Sequence, residues 1–179
     1  MKPELVEPVE WKELTDQFDN EFGYGVSKAL LGDRAPVTIS RGDTKSFYLV
    51  PRDWVGSLEE ERTDFEVYSL GIRMGDLKEG KFRLSLQILD ALAELTDKLL
   101  VVSQQGAEAF TYSRSIIKES VIKLDSHLKR GQRVIVLNKD GEVLGLAALS
   151  VDGNRLKRLA SDRLVGKNLV DIGAYLRGA

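Results

Sequence analysis

The C-terminal half of the chain contains several short apolar runs that are separated by turn signals. The clearest pair is "QRVIVLN" and "EVLGLAAL", which flank "KDG" with the turn dipeptide Asp140-Gly141. Two strand-like runs joined by an Asp-Gly turn predict a β-hairpin. "KLLVV" predicts a short buried strand, "GAEAFTYSRSI" one short helix, and "LVGKNLVDIGAYL" further short runs. Several short strands at close spacing predict a small β-barrel.

Charge divides the chain into two parts of opposite sign. Residues 1–95 contain 12 Lys and Arg against 19 Asp and Glu, a net charge of −7, whereas residues 96–179 contain 14 against 9, a net charge of +5. A length of 179 residues suits one large domain or two small ones. We therefore predict an N-terminal domain over 1–95 and a C-terminal domain over 96–179, the second with an anionic partner. Charge alone fits two ordinary solvated surfaces equally well.

The N-terminal half alternates helix and strand patterns. Pro8 opens a predicted helix that ends at Gly23, and its apolar residues recur at helical spacing as Trp11, Leu14, Phe18 and Phe22. "GDRAPVTISRGD" follows as a segment punctuated by Gly and Pro, and "KSFYLVP" then predicts a strand. "SLEEERTD" predicts a charged turn, "FEVYSLGIRMG" a strand, and "SLQILDALAEL" a helix.

The stretch "GDLKEGKF" matches the spacing of a phosphate loop, G-x-x-x-x-G-K. The next position of a phosphate loop is Ser or Thr, whose hydroxyl binds magnesium, but this chain has Phe82 there. Asp76 and Glu79 would also place carboxylates against the phosphates. Because strand-like runs lie on both sides, we predict a hairpin connection, with Phe82 and Leu84 pointing inward and Lys81 and Arg83 outward.

Residue types limit the available chemistry. The chain has no Cys, which excludes disulfides and thiolate metal sites, and its single histidine, His127, excludes the usual His-based zinc sites. "LDSHLKR" around His127 is typical of a solvated loop or helix end. No G-x-S-x-G motif is present. The absence of an apolar run of about eighteen residues predicts no membrane span, and the polar start predicts no secretion.

A basic cluster lies in "GNRLKRLASDRLVGKN". Its five cations are Arg155, Lys157, Arg158, Arg163 and Lys167, and Asp162 is the one acid among them. We expect Leu156, Leu159 and Leu164 to anchor this segment while the charges stay in solvent. Such an arrangement suits the phosphates of a nucleic-acid backbone. A solvated basic edge without a ligand is the competing interpretation.

The C-terminal half resembles a PUA domain, an RNA-binding module. The resemblance rests on Gly106-Ala107 with Phe110, on Ile116-Ile117-Lys118, and on "GQRVIVLNKDGEVLGLAALS". Ser113 and Ser120 occupy places where related PUA domains often have glycine. Because glycine lets a backbone approach RNA closely, these two serines argue against backbone contacts with RNA near the short helix.

Features of both halves together resemble the archaeal and eukaryotic Nip-seven family, whose members assist assembly of the large ribosomal subunit. They are "SLG" at 69–71, "KFRL" at 81–84, "LD" at 89–90, "LA" at 92–93 and "DIGAYLR" at 171–177. The resemblance implies an α+β fold, in which an N-terminal antiparallel sheet with helices is followed by a PUA-type barrel. It also implies an RNA-binding protein with no catalysis and no cofactor.

The resemblance assigns RNA binding to basic residues late in the PUA domain. On this chain they correspond to Arg155, Lys157, Arg158 and Arg163, and we extend the set to Lys167. The implied partners are pre-rRNA, including uridine-rich single strands, and ribosome assembly factors or exosome subunits, with no membrane. The implied location is the cytoplasm of an archaeon, which the lack of Cys favours, or the nucleolus of a eukaryote.

Two other functions remain open at this point. The chain could be an RNA-modification enzyme, or an accessory subunit of one, that carries a PUA domain. Against this, residues 1–95 are few for a synthase or methyltransferase fold and lack G-x-G-x-x-G. The chain could also be a protein-interaction module without affinity for RNA.

Overall fold

The structure is a computed structural model that describes residues 2–59 and 67–176. Its contacts form two compact units, Met1–Leu92 and Ala93–Ala179, and each is considered by itself. Both units combine helices with a largely antiparallel sheet. The predicted α+β class is therefore confirmed.

The N-terminal unit contains a five-stranded antiparallel sheet in the order β1-β2-β3-β4-β5. The strands are β1 (Glu4–Leu5), β2 (Arg34–Arg41), β3 (Thr44–Pro51), β4 (Ile72–Lys78) and β5 (Lys81–Leu84). The helices are α1 (Pro8–Phe22), α2 (Val26–Leu31), α3 (Val55–Glu59) and α4 (Leu86–Ala93), with a 3-10 helix over Arg52–Trp54.

Helix α1 spans the predicted residues and packs through the predicted stripe. Pro8 stands at its first position, where the missing N–H costs no hydrogen bond, and Gly23 caps its C-terminal end. Phe18 and Phe22 are almost fully buried. The ring of Phe82 on β5 lies edge-on to Phe18 and Phe47, at centroid distances of 5.9 and 5.7 Å. Aromatic burial thus joins the helix to the sheet.

The stretch with phosphate-loop spacing is a β-hairpin, as predicted. Strands β4 and β5 pair from Gly75 opposite Leu84 to Lys78 opposite Lys81, and Glu79 and Gly80 form the turn. Burial alternates along β5 so that Lys81 and Arg83 are exposed. A phosphate loop must lead into a helix whose N-terminus faces the phosphate, and this segment leads into a strand.

The Gly- and Pro-punctuated segment contains a strand that the sequence pattern does not indicate. Strand β2 runs through Pro36, whose carbonyl accepts a hydrogen bond from Val6 N–H at 3.1 Å. The N and C=O of one strand residue point to the same edge, so the missing donor of Pro36 faces the β1 side. Pairing with β3 is therefore continuous, from Arg34 opposite Pro51 to Arg41 opposite Thr44.

The strand predicted from "FEVYSLGIRMG" begins later than expected. Residues 67–70 have no regular structure, and β4 starts at Ile72. Val67 and Leu70 instead pack against the core cluster of the sheet. Gly71 has a φ of +45°, and a Cβ there would lie 2.3 Å from the carbonyl oxygen of Leu49. This close approach of Gly71 to Leu49 of β3 marks the boundary between residues 67–70, which pack on the core, and strand β4. Residues 60–66, which include most of the predicted charged turn, lie outside the described residues.

The C-terminal unit contains a six-stranded sheet in the order β7-β11-β10-β9-β6-β8. The strands are β6 (Leu99–Val102), β7 (Ile116–Ile117), β8 (Val121–Leu124), β9 (Arg133–Leu137), β10 (Val143–Leu149) and β11 (Leu164–Asp171). The helices are α5 (Gln104–Thr111) and α6 (Gly173–Leu176), and 3-10 helices span Lys118–Ser120 and Gly153–Arg158.

The six strands curl into a nearly closed barrel. The two edge strands, β7 and β8, follow each other in sequence and are joined only by the 3-10 helix Lys118–Ser120, so the edges come close together. The interior holds fully buried side chains such as Leu100, Phe110 and Val165. The predicted hairpin is β9 and β10, and the predicted short helix is α5. The predicted small barrel is confirmed.

Membrane crossing by a helix finds no support in the parts of the chain that the structure describes. None of the helices there is both long enough and apolar enough to span a bilayer.

Candidate nucleic-acid interface

The five basic residues singled out in the sequence lie on two neighbouring elements of the barrel unit. Arg155, Lys157 and Arg158 belong to the 3-10 helix Gly153–Arg158, Arg163 directly precedes β11, and Lys167 lies on β11 opposite Ala148. All five are exposed. We call residues 155–167 the basic segment. The structure brings the three cations of the 3-10 helix together within one short element.

Two leucines fix the basic segment to the barrel. Leu156 and Leu159 are half-buried and pack against the barrel core. Burial of these side chains leaves the cations between them in solvent. The third expected anchor, Leu164, is 39% exposed, so that expectation is wrong. Val165, the next residue of β11, is fully buried in the core instead, because successive side chains of a strand point to opposite faces.

Most cations of the basic segment have no acidic partner within the described residues. The exception is Arg155, whose Nε lies 3.8 Å from Asp152 Oδ2, while its side chain is still 74% exposed. Lys157, Arg158, Arg163 and Lys167 form no ion pair with any other described residue. A solvated pair as long as that of Arg155 contributes little to stability. The positive charge of the segment therefore remains available to an external anion.

The loop over residues 125–132, here called turn 125–132, is fastened to the 3-10 helix. Gly153 N–H donates to the carbonyl of Leu128 at 2.8 Å, and Arg130 N–H donates to Asp152 Oδ1 at 3.0 Å. A Cβ on Gly153 would lie 2.0 Å from the carbonyl oxygen of Asp125, so only glycine permits this approach. Leu128 is fully buried and anchors the turn. The two segments are held side by side.

The contact between turn 125–132 and the 3-10 helix brings two further cations next to the basic segment. Lys129 and Arg130 are exposed on turn 125–132. The Arg130 N–H bond has the largest effect and lowers the pKa of the Asp152 carboxyl. Burial opposes it, and the charges of Lys129, Arg155 and Arg130 lower the pKa further, so that the net shift is downward. The basic pair stands in "HLKRGQR", but it is separated from Arg155 by a whole hairpin. Only the fold shows that they surround one carboxylate.

His127 lies on the same turn between two carboxylates. Its Nε2 is 3.1 Å from Asp97 Oδ2, and its Nδ1 is 2.5 Å from Asp125 Oδ1. The ring is half-exposed, in agreement with a solvated loop. The His127 backbone N–H and side chain lower the pKa of Asp125. Among the residues that the structure describes, no group of three His, Cys, Asp or Glu residues is placed to hold a metal. The contacts of His127 order the turn.

A polar cluster lies at the C-terminal end of α5. Ser113 has a φ of +62°, the left-handed conformation that favours glycine. Its hydroxyl lies 3.2 Å from Oδ2 of the buried Asp171, which also accepts from Asn168 at 3.1 Å. The Ser120 side chain closely approaches Gly106 of α5, where a Cβ would lie 2.7 Å from it. Both serines thus make contacts within the domain, Ser113 with the Asp171 carboxylate and Ser120 with Gly106 of α5.

An exposed aromatic ring stands beside this cluster. Tyr112 caps α5, and its side chain is 73% exposed. Arg114 is also exposed, and Ser115 Oγ accepts a hydrogen bond from Asn168 N–H at 3.4 Å, next to Lys167 on β11. A base could stack on such a ring while cations bind the phosphates. Tyr112 thus provides an exposed aromatic ring at the end of α5, whose Phe110 carbonyl accepts a hydrogen bond from Asn168 of β11 at 2.9 Å.

The fold and the exposed cations define a class: an α+β domain followed by a PUA barrel with a basic surface. Residues 98–179, nearly the whole C-terminal unit, match the family described as UPF0113 PUA domain. The fold is also similar to a solved PUA domain from Aeropyrum pernix, with a TM-score of 0.65 and 12% identity over 98% of this chain and 88% of that one.

The matches to two relatives are longer than the PUA family match and therefore extend over both units. The chain is 29% identical over 110 residues to a protein of Schizosaccharomyces pombe named 60S ribosome subunit biogenesis protein nip7, and the match covers 61% of each chain. It is 28% identical over 139 residues to a UPF0113 protein of Archaeoglobus fulgidus, covering 78% of this chain and 76% of that one. The resemblance to the Nip-seven family is confirmed by these matches.

Proposed function

We propose that this protein binds RNA through the basic segment of its PUA domain and assists assembly of the large ribosomal subunit without catalysing a reaction. The observation that carries the proposal is the set of exposed cations on the 3-10 helix, Arg155, Lys157 and Arg158. Among the described residues, only Arg155 of these three has an acidic partner, at 3.8 Å. Arg163 and Lys167 extend the set toward β11. Cations left in solvent on a rigid support bind phosphates and release counterions.

The name of the yeast relative supports the biological context. We propose pre-rRNA as the RNA, with single strands rich in uridine as its preferred form, and ribosome assembly factors or exosome subunits as protein partners of the N-terminal domain. The proposed division follows the predicted boundary, with a pre-PUA domain over 1–95 and an RNA-binding domain over 96–179. The proposed location is the cytoplasm of an archaeon or the nucleolus of a eukaryote.

The proposal is tested by titrating a labelled uridine-rich RNA with the wild-type protein and with a variant in which Arg155, Lys157, Arg158 and Arg163 are all changed to Ala. We expect the variant to bind roughly 100-fold more weakly at about 0.1 M salt. The slope of log Kd against log salt should fall by about 3, because each lost single-strand phosphate contact removes about 0.7.

A control removes the same charge from other surfaces by changing Lys12, Lys28, Lys81 and Lys139 to Ala. These four lysines are also exposed. We expect this variant to keep an affinity within about threefold of wild type, since more distant charges are screened. Equal losses of affinity in the two variants would mean that the change in net charge alone causes the loss. An unchanged affinity in the variant of the basic segment would refute the site. Heat released on adding S-adenosylmethionine or ATP would favour the enzyme alternative.

A further inference from the structure

A second group of cations lies beside the basic segment, on turn 125–132. Lys129 and Arg130 are exposed and project from a turn whose base, Leu128, is buried in the barrel. The turn is also stabilised by a hydrogen bond from Lys129 N–H to Gln132 Oε1 at 2.7 Å. The backbone beneath the two cations is therefore ordered before any ligand binds, which reduces the entropy lost on binding.

The position of the turn relative to the 3-10 helix is fixed by three contacts. Two are the hydrogen bonds from Gly153 N–H to Leu128 and from Arg130 N–H to Asp152. The third is the close approach of Gly153 to the Asp125 carbonyl. A chain of nucleotides lying on the 3-10 helix would therefore meet Lys129 and Arg130 at a constant position.

One carboxylate lies at the junction of the two groups. Asp152 accepts the Arg130 N–H and lies 3.8 Å from Arg155 Nε. The charge of Lys129 also acts on this carboxylate and helps to lower its pKa. Asp152 is therefore ionised at neutral pH and holds a negative charge among cations that would otherwise all face a phosphate.

We propose that the RNA interface extends from the basic segment onto turn 125–132, where Lys129 and Arg130 bind further phosphates, and that Asp152 limits the affinity by opposing their charge. The inference rests on the proposed function and adds a second contact region to it. Each added single-strand phosphate contact should increase the salt dependence of binding by about 0.7 in the slope. Asp152 combines two effects, since it orders Arg130 and repels phosphate.

The first test compares Lys129→Ala/Arg130→Ala with a matched control, Lys81→Ala/Lys139→Ala, which removes two exposed cations that lie outside turn 125–132 and the basic segment. Binding to the labelled uridine-rich RNA is measured by fluorescence anisotropy over a range of salt concentrations. We expect the first variant to bind about tenfold more weakly, with a slope smaller by about 1.4, and the control to bind within about twofold of wild type.

The second test uses Asp152→Asn, which keeps an oxygen to accept the Arg130 N–H and removes the charge. We expect this variant to bind RNA about threefold more tightly. Its melting temperature should be slightly lower, because the lowered pKa of Asp152 means that the ionised carboxylate stabilises the fold. A wild-type affinity in Lys129→Ala/Arg130→Ala, or an equal loss in its control, would overturn the extension of the interface. If Asp152→Asn binds RNA no more tightly than the wild type, the limiting role of the carboxylate is overturned.

The failure of this inference differs from a failure of the proposed function. If turn 125–132 takes no part, the quadruple variant of the basic segment still loses affinity while Lys129→Ala/Arg130→Ala does not. If the protein does not bind RNA, the wild type shows no change in anisotropy, and both the inference and the proposed function are wrong.

Discussion

The two units differ in what their basic side chains contact. In the N-terminal unit, four described cations pair with carboxylates at 2.6 to 3.4 Å: Lys12 with Asp16, Lys45 with Glu10, Arg73 with Asp76, and Lys78 with Asp43. In the basic segment of the C-terminal unit, only Arg155 has such a partner among the described residues, at 3.8 Å. The N-terminal unit also has exposed cations that form no ion pair with a described residue, such as Lys28 and Lys81, but these two lie far apart in the chain, whereas Lys157 and Arg158 are neighbours on one short 3-10 helix.

The largest expected effect comes from reversing charge at unpaired cations. Changing Lys157 and Arg158 to Glu should weaken RNA binding more than 100-fold, because phosphates would then meet carboxylates. The matched change in the N-terminal unit, Lys12 and Lys28 to Glu, should weaken it less than about threefold. Anisotropy titrations of the two variants at one salt concentration make the comparison. Similar losses in both would show that the unit carrying the charge does not matter.

A second comparison uses one glycine from each unit. A Cβ at Gly153 or at Gly75 would lie about 2 Å from a backbone carbonyl oxygen, that of Asp125 or Arg83. Either change to Ala should lower the free energy of unfolding by about 2–3 kcal/mol. Only Gly153→Ala should also weaken RNA binding, since it separates turn 125–132 from the 3-10 helix.

Denaturant melts and RNA titrations of the two glycine variants are compared with those of Gly56→Ala, where a Cβ meets no atom within 4 Å. The comparison fails if Gly75→Ala loses as much RNA affinity as Gly153→Ala at a temperature where both remain folded.

A third comparison uses two exposed tyrosines. Tyr112 is 73% exposed at the C-terminal end of α5, and Tyr24 is 100% exposed on a loop of the N-terminal unit between α1 and α2. Tyr112→Ala should weaken binding to uridine-rich single strands about tenfold, because a stacked base contributes roughly 1–3 kcal/mol. Tyr112→Phe should retain most of the affinity, and Tyr24→Ala should have no effect. An equal affinity of Tyr112→Ala and wild type would exclude stacking at this position.

The smallest effects concern two left-handed residues that are not glycine, Glu79 at φ +51° and Ser113 at φ +62°. Glu79→Gly should raise the free energy of unfolding by about 0.5 kcal/mol, because it relieves backbone strain in an exposed turn. Ser113→Gly should change it little, since the strain relieved is offset by loss of the hydrogen bond to Asp171. Ser113→Ala should lower it by about 1–2 kcal/mol. Thermal melts measure all three, and a gain in Ser113→Ala would contradict this account of the site.

Much of the fold follows from local signals in the sequence. Helix α1 follows from Pro8, Gly23 and the stripe between them, and the β9–β10 hairpin follows from Asp140-Gly141. Strand β2 does not, because Pro36 is tolerated only through the direction of its missing donor, which depends on β1 and β3. The segment before Gly71 is predicted to be a strand because its apolar residues alternate. The alternation contains no information about the close approach of Gly71 to the Leu49 carbonyl, which the fold creates.

The candidate site follows from the sequence only in part. Charge density identifies the basic segment, because Arg155, Lys157 and Arg158 are neighbours in the chain. The sequence does not indicate that Lys129 and Arg130 belong to the same surface. They are brought beside the basic segment by the approach of Gly153 to turn 125–132, a tertiary contact between segments that the β9–β10 hairpin separates in the chain. Leu164 is exposed because β11 begins there and Val165, on the opposite face of the strand, takes the buried position, and the start of this strand is not marked in the sequence.

The central claim is that unpaired cations late in the C-terminal unit bind RNA phosphates, and the salt dependence of binding tests it most directly. Kd for a uridine-rich single strand is measured from low to moderate salt for the wild type and for the variant with Arg155, Lys157, Arg158 and Arg163 changed to Ala. We predict that log Kd rises with log salt with a slope of at least about 3 for the wild type, and that the slope falls by about 3 in the variant. A wild-type slope near zero, or the same slope in both proteins, would contradict the account.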